Sequence, residues 1–135
     1  MVETDDPFDR PTPEAGDFIP ATSTGSYDVR KVISALVDDG EYFELRAHWA
    51  ANVVTTFARI DGRVVGIVAN QPIVLAGTLD IPASQKAARF VAFCDAFNIP
   101  LITLVDVPGF LPGRDQEHNG IITNYKELKQ LLLKK

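Results

Sequence analysis

The sequence predicts an α/β fold in which an antiparallel hairpin leads, through a loop and a helix, to a buried strand. Three observations carry that reading. Asp61-Gly62 sits between two β-branched-rich segments, residues 52–60 and 63–69, and this dipeptide favours a type I′ hairpin turn because both of its residues accept φ > 0. Ala87, Phe90, Val91, Cys94 and Phe97 recur at helical spacing until Asn98 and Pro100 end the pattern. Residues 101–105 form a short run that is apolar apart from Thr103, as expected of a strand buried on both faces.

Taken in order, residues 1–26 hold four of the nine prolines with several Asp, Ser and Thr and no apolar period, so a mobile or loosely draped acidic linker is expected there. Val29, Val32, Ile33 and Leu36 then follow i, i+3, i+4, i+7 spacing, with Asp28 at the start and Gly40 past the end, which predicts a short amphipathic helix. After the hairpin, Pro82 suits the first turn of the helix carrying Ala87 to Phe97, because proline there forfeits no intrahelical bond. Residues 123–135 predict an amphipathic helical tail: Leu128, Leu131 and Leu132 share a face, and Lys134 and Lys135 suit a helix C-terminus.

Composition narrows the function classes. The formal net charge of −5 leaves no basic field for nucleic acid or an anionic membrane surface. No apolar run approaches the roughly 20 residues needed to span a bilayer, and the acidic start is unlike a secretion signal, so a cytoplasmic or mitochondrial-matrix location is expected. One cysteine excludes an internal disulfide, and two histidines without companion cysteines predict no structural metal site.

The segment Leu104-Val-Asp-Val-Pro-Gly-Phe-Leu-Pro-Gly113 ends the apolar run in a loop with two Pro-Gly pairs, each of which presets a turn and lets backbone approach a bound group. Together with Tyr27-Asp-Val-Arg30, Gly66-Ile-Val-Ala-Asn-Gln-Pro72, Ala76-Gly-Thr-Leu-Asp-Ile81, Ala83-Ser-Gln-Lys-Ala-Ala-Arg-Phe-Val91 and Phe93-Cys-Asp-Ala-Phe-Asn-Ile-Pro100, it resembles the biotin-dependent acyl-CoA carboxyltransferases, propionyl-CoA carboxylase beta subunits above all. The resemblance runs through residues 27–122. It implies a crotonase-like (ClpP/crotonase) superhelix of strand-strand-helix units, here incomplete, with residues 27–122 as part of a C-terminal carboxyltransferase domain. It also implies acyl-CoA as substrate, and biotin carried on a separate protein, since the chain holds no Met-Lys attachment dipeptide.

Carboxyl transfer requires two developing oxyanions to be stabilised, which backbone amides can do. The resemblance implies that Ala76 or Gly77 supplies one such N–H; the residues alone equally describe a tight strand-to-helix connection whose glycine serves geometry. Asn70 and Gln71 suit either a ureido or amide edge of the ligand or ordinary turn chemistry beside Pro72. By resemblance Val107, Pro108, Gly109, Phe110, Leu111, Pro112 and Gly113 line the biotin side of the cleft; a solvent loop has little reason to display Phe-Leu. Asp106 orients that loop or is simply structural.

Four further expectations are bland. Cys94 is a small buried hydrophobe, His48 and His118 are surface residues, and Trp49 packs the hairpin with Tyr42 and Phe43. Lys86 and Arg89, i and i+3 on one helix face, are solvated, or by resemblance face a neighbouring subunit or a CoA phosphate.

The family continues beyond residue 122 into a second glycine-rich loop that holds the biotin carbonyl, whereas residues 123–135 depart from it; Thr78 replaces the family's usual Cys without consequence. The expectation is therefore a truncated domain, inactive alone, whose partners are a biotin carboxyl carrier or biotin carboxylase subunit and a complementing carboxyltransferase half or further copies. The competing expectation is a non-catalytic interaction or assembly fragment.

Overall fold

Asp61 and Gly62, at φ 52° and 67°, form the predicted type I′ turn. Both of their N–H groups donate to the Asp38 carboxylate, at 3.0 and 2.8 Å, so a residue outside the hairpin fixes its tip. The turn joins β2 (Val53–Ile60) to β3 (Arg63–Asn70), paired antiparallel over their full length from Val53↔Asn70 to Ile60↔Arg63. The computed structural model of the chain describes residues 2–7, 9–22, 25–109 and 112–113; Phe110, Leu111, His118 and the tail 123–135 lie outside the described residues.

The sheet has four strands in the order β1-β2-β3-β4. β1 (Tyr42–Leu45) pairs antiparallel with β2, and β4 (Leu101–Leu104) pairs parallel with β3, from Gly66↔Leu101 to Ala69↔Leu104. The parallel return is made by α3 (Ile81–Ala96), capped by the Asp80 carboxylate on the Ala83 N–H at 3.0 Å, with proline in its first turn. α2 (Val29–Leu36) is capped in the same way by Asp28 on the Arg30 N–H. A single turn, α1 (Glu14–Asp17), precedes it.

Alternation along the strands divides the core into two layers. Val54, Ala58, Val65, Ile67 and Ala69 face α2 through Val29 and Ile33. Val53 and Val68 face α3 through Ala83, Ala87, Phe90, Val91 and Cys94. Gly66 lies beneath this second helix, and a Cβ there would stand 2.6 Å from Cys94 Sγ. Cys94 itself is fully buried, as expected of a small hydrophobe.

Several sequence expectations need correction. β4 is not buried on both faces: it is half-exposed, and Val105 beyond it is 71% exposed, because β3 alone pairs with it among the described residues. Phe97 is 65% exposed, so the buried stripe of α3 stops at Cys94. Of the three aromatic residues assigned to hairpin packing, Tyr42 packs against the α2 layer. Phe43 is 67% exposed on the edge strand, and the Trp49 ring is partly exposed with the Arg46 guanidinium 5.4 Å from its centroid.

Lys86 is the largest departure. It is buried, and its Nζ donates to the carbonyl oxygens of Arg46, Trp49, Ala50 and Val53 at 3.1, 2.9, 3.3 and 2.6 Å. Burial pulls its pKa below the ordinary lysine value, and the ring of carbonyl dipoles favours the charged form against that pull. The ammonium closes the β1–β2 connection, where Arg46 and Ala50 occupy left-handed backbone at φ 54° and 48°. Arg89 and His48 are exposed, as expected.

The N-terminal segment lies across the α2 layer with defined attachments. Arg10 pairs with Asp6 at 2.6 Å and donates to the carbonyls of Ala35 and Val37, while Asp6 accepts the Asp39 N–H and Val2 N–H reaches Gly62 O.

Candidate functional site

β3 and β4 run parallel and adjacent, so the segments that follow them leave the sheet at the same end, the side on which parallel sheets present ligands. After β3 the chain enters an unusual turn. Leu75, Ala76 and Gly77 all occupy left-handed backbone, at φ 50°, 52° and 72°. For the two non-glycine residues this costs roughly 1–2 kcal/mol each, and such strain collects at functional sites.

Three bonds tie this turn to the segment after β4. Asn70 Nδ2 donates to Gly77 O at 3.1 Å, Asn70 Oδ1 accepts the Asp106 N–H at 3.4 Å, and the Leu79 N–H donates to Gly109 O at 3.2 Å. The approach is close: a Cβ on Gly77 would lie 2.9 Å from the Asp106 carbonyl oxygen. Glycine is needed there for its φ and for its missing side chain.

Between the two segments and the N-terminal stretch lies an open cleft of about 580 Å³, whose walls include Ala76, Pro72, Val107, Pro108, Tyr27 and Pro20. Tyr27 donates its phenolic proton to Asp106 Oδ2 at 2.8 Å. Desolvation, reinforced by that acidic partner, raises the Tyr27 pKa to about 12. Behind the same segment a smaller apolar cavity of about 200 Å³ is lined by Leu79, Val91, Leu104 and Val107, so Val107 separates two spaces.

Of the residues read from the sequence, Ala76, Val107 and Pro108 meet at the cleft. Gly109 adjoins them at φ 156° with nothing within 4 Å of where a Cβ would stand, and Pro112 and Gly113 are exposed beyond it. Three assignments change. The Gly77 N–H is taken up by Val74 O at 2.9 Å, so it is not the amide offered to a ligand. The Ala76 N–H makes no hydrogen bond among the described residues. Asn70 and Gln71 are buried: Asn70 clamps the two segments, and Gln71 accepts the Val29 N–H at 3.0 Å and donates to Asp28 at 2.7 Å, fixing the start of α2. Their amide edges are filled by protein.

Sequence reasoning passed over Tyr27 as a site residue and left Asp106 undecided. The pair is separated by 79 positions, and no local spacing announces it. Among the described residues no group of three or more His, Cys, Asp or Glu is placed to hold a metal ion. No helix there is long and apolar enough to cross a membrane.

Comparison with known proteins agrees with this architecture. The chain is 52% identical over 124 residues to the propionyl-CoA carboxylase beta chain of Roseobacter denitrificans, covering 92% of this chain and 24% of that one. It is 61% identical over 112 residues to the methylmalonyl-CoA carboxyltransferase 12S subunit of Propionibacterium freudenreichii subsp. shermanii, covering 83% and 21%. The crystal structure of a transcarboxylase 12S hexamer, with methylmalonyl-coenzyme A and methylmalonic acid bound, superposes with a TM-score of 0.91 at 53% identity, over 96% of this chain and 25% of that one. The chain thus spans about a quarter of the length of these relatives. The family model for the carboxyl transferase domain matches residues 1–128, and the chain belongs to that family.

Proposed function

We propose that this chain forms one wall of a carboxyltransferase site that moves a carboxyl group between carboxybiotin and a short-chain acyl-CoA such as propionyl-CoA. In this reading the sheet, α2 and α3 are one turn of a crotonase-like superhelix. The observation that carries the proposal is the meeting of the Ala76 amide, which has no acceptor among the described residues, with Val107 and Pro108 across one cleft. The family membership supplies the chemistry.

The cleft suits a flat, uncharged ring system. Pro72 and Pro108 offer stiff apolar walls, Gly109 projects no side chain, and the Ala76 N–H is a donor for an oxygen that gains negative charge. When bound, carboxybiotin supplies the activated carboxyl group. The protein's own part is to hold a donor still, because an amide fixed before reaction needs no reorganisation. The left-handed turn fixes Ala76, Asn70 joins that turn to the opposite segment, and Tyr27 holds Asp106 from the other side. No histidine, thiol or carboxylate stands in a proton-accepting role in this scheme. The partners follow from the same reading: a biotin-bearing carrier or carboxylase subunit, and a complementing carboxyltransferase half or further copies. A polypeptide of these 135 residues alone offers one wall and is expected to show no turnover.

The test is a chimera in which residues 27–109 replace the matching segment of the Propionibacterium 12S subunit. Transfer from methylmalonyl-CoA to free biotin should survive the exchange. Gly109→Ala in the chimera should lower turnover at least tenfold with acyl-CoA affinity unchanged, because the strained Cβ projects from the biotin wall. A folded chimera with equal losses in acyl-CoA affinity and turnover, or with no loss at all, would place biotin elsewhere.

A further inference from the structure

A second pocket, of about 290 Å³, shares no residue with the cleft and lies between the α3 face and strands β1 and β2. Its floor is apolar: Leu45, Phe57, Phe90 and Phe93, with Phe57 tilted against both helix rings at centroid distances of 5.0 and 5.8 Å. Its remaining wall carries three cationic side chains, Arg46, Lys86 and Arg89, in a protein of net charge −5.

Of the six described arginines, three pair with carboxylates and Arg46, Arg63 and Arg89 do not. Arg10, Arg30 and Arg59 each pair with a carboxylate. Among the described residues Arg46 and Arg89 make no ion pair, and the Arg46 guanidinium is held instead over Trp49. Lys86 sends its ammonium into the backbone carbonyls of the β1–β2 connection, so its charge is fixed beside the pocket and anchors the segment that carries Arg46. An apolar floor with two guanidiniums that meet no carboxylate among the described residues is complementary to one chemistry: a hydrocarbon body ending in an anion. The volume lies just below the roughly 300–1,000 Å³ typical of ligand pockets, which limits the body to a short chain or a single ring. The exposed Phe93, tilted against Phe97 with ring centroids 4.6 Å apart, extends the apolar surface past the mouth for the tail of such a molecule.

We propose that this pocket is a binding site for a small apolar carboxylate, with Arg46 and Arg89 on the carboxylate and the three phenylalanines on the body. The proposal is independent of the carboxyltransferase reading. It is tested on the 135-residue chain with octanoate, and with octanol and octylammonium as neutral and cationic counterparts. Titration is followed by the fluorescence of Trp49, the single tryptophan, and by calorimetry, which does not depend on that ring. Octanoate should bind saturably and at least tenfold more tightly than either counterpart. Arg89→Gln should weaken octanoate about tenfold and leave octanol unchanged, Arg46→Gln should do the same by calorimetry, and Phe93→Ala should weaken both ligands. Thermal melts of the variants confirm that they fold. Equal binding of octanol and octanoate, or full octanoate affinity in folded Arg89→Gln, overturns the proposal. So does octanoate affinity that falls as protein concentration rises, since another copy of the chain would then be the true occupant of this face.

Discussion

Replacing Lys86 by Met isolates what the buried ammonium contributes, because the unbranched stem is kept while the charge and all three N–H donors are removed. In the native structure these donors serve four carbonyl oxygens between 2.6 and 3.3 Å away. Hydrogen bonds to a charged group contribute about 1.5–3 kcal/mol each, and an acceptor left buried without a donor costs about 1–3 kcal/mol. Against these stands relief from holding an ammonium out of water, an effective several kcal/mol. Three good bonds therefore leave a net loss of about 3 kcal/mol. The opened β1–β2 connection limits it by letting water reach the carbonyls. At a urea dependence of about 1–3 kcal/mol/M the midpoint should fall by roughly 1–3 M. The assay is urea denaturation at neutral pH followed by far-UV circular dichroism, with Gln85→Met as the control on the exposed neighbouring position. An unchanged or raised midpoint for Lys86→Met would refute the reasoning, because it would mean that the carbonyl ring only offsets the burial of the charge.

Tyr27→Phe tests the bond to Asp106 through its pH dependence. The phenol titrates at 10.0 when free and at about 12 in the fold, so its contribution is complete below pH 10 and is lost as pH rises through about 12. The stability difference between wild type and Tyr27→Phe should shrink over that window, and a difference constant to pH 12 would mean that neither the burial of the phenol nor its Asp106 partner raises its pKa in the fold. Gly77→Ala should cost more than the roughly 1–2 kcal/mol of a left-handed alanine, because its Cβ meets the Asp106 carbonyl at 2.9 Å. A thermal melt matching wild type would show that the two segments do not approach as described.

The parts of the fold that could be read from the sequence are those whose signal is local. Asp61-Gly62 needs only its own φ preferences to specify a turn, and Asp28 and Pro82 mark helix starts through the first turn alone. β1 went unread because four residues, Tyr42–Leu45, carry too little alternation to register as a strand before β2 pairs with them. Lys86 misled for a different reason. Its spacing with Arg89 describes a solvated face, and the acceptors that bury it are backbone carbonyls 33 to 40 positions earlier, which have no side-chain signature at all.

The same distinction explains the candidate site. Asn70 and Gln71 have the composition of ligand contacts, yet their partners at Asp106 and Val29 are 36 and 42 positions away, and those bonds fill their amide edges. Ala76 has no chemistry in its side chain. Its amide has no acceptor among the described residues where Leu75, Ala76 and Gly77 turn left-handed together, and only the last of these is a residue type that announces such a backbone. In the proposed function the polar side chains thus build the frame, while the donor offered to the cleft is a main-chain group. For a reaction that needs charge stabilised on an oxygen rather than a proton removed by a side chain, that division is chemically consistent. It also says where mutagenesis should look. Substitutions that reshape the backbone of residues 75–77 should alter the site more than changes that merely replace an exposed polar group.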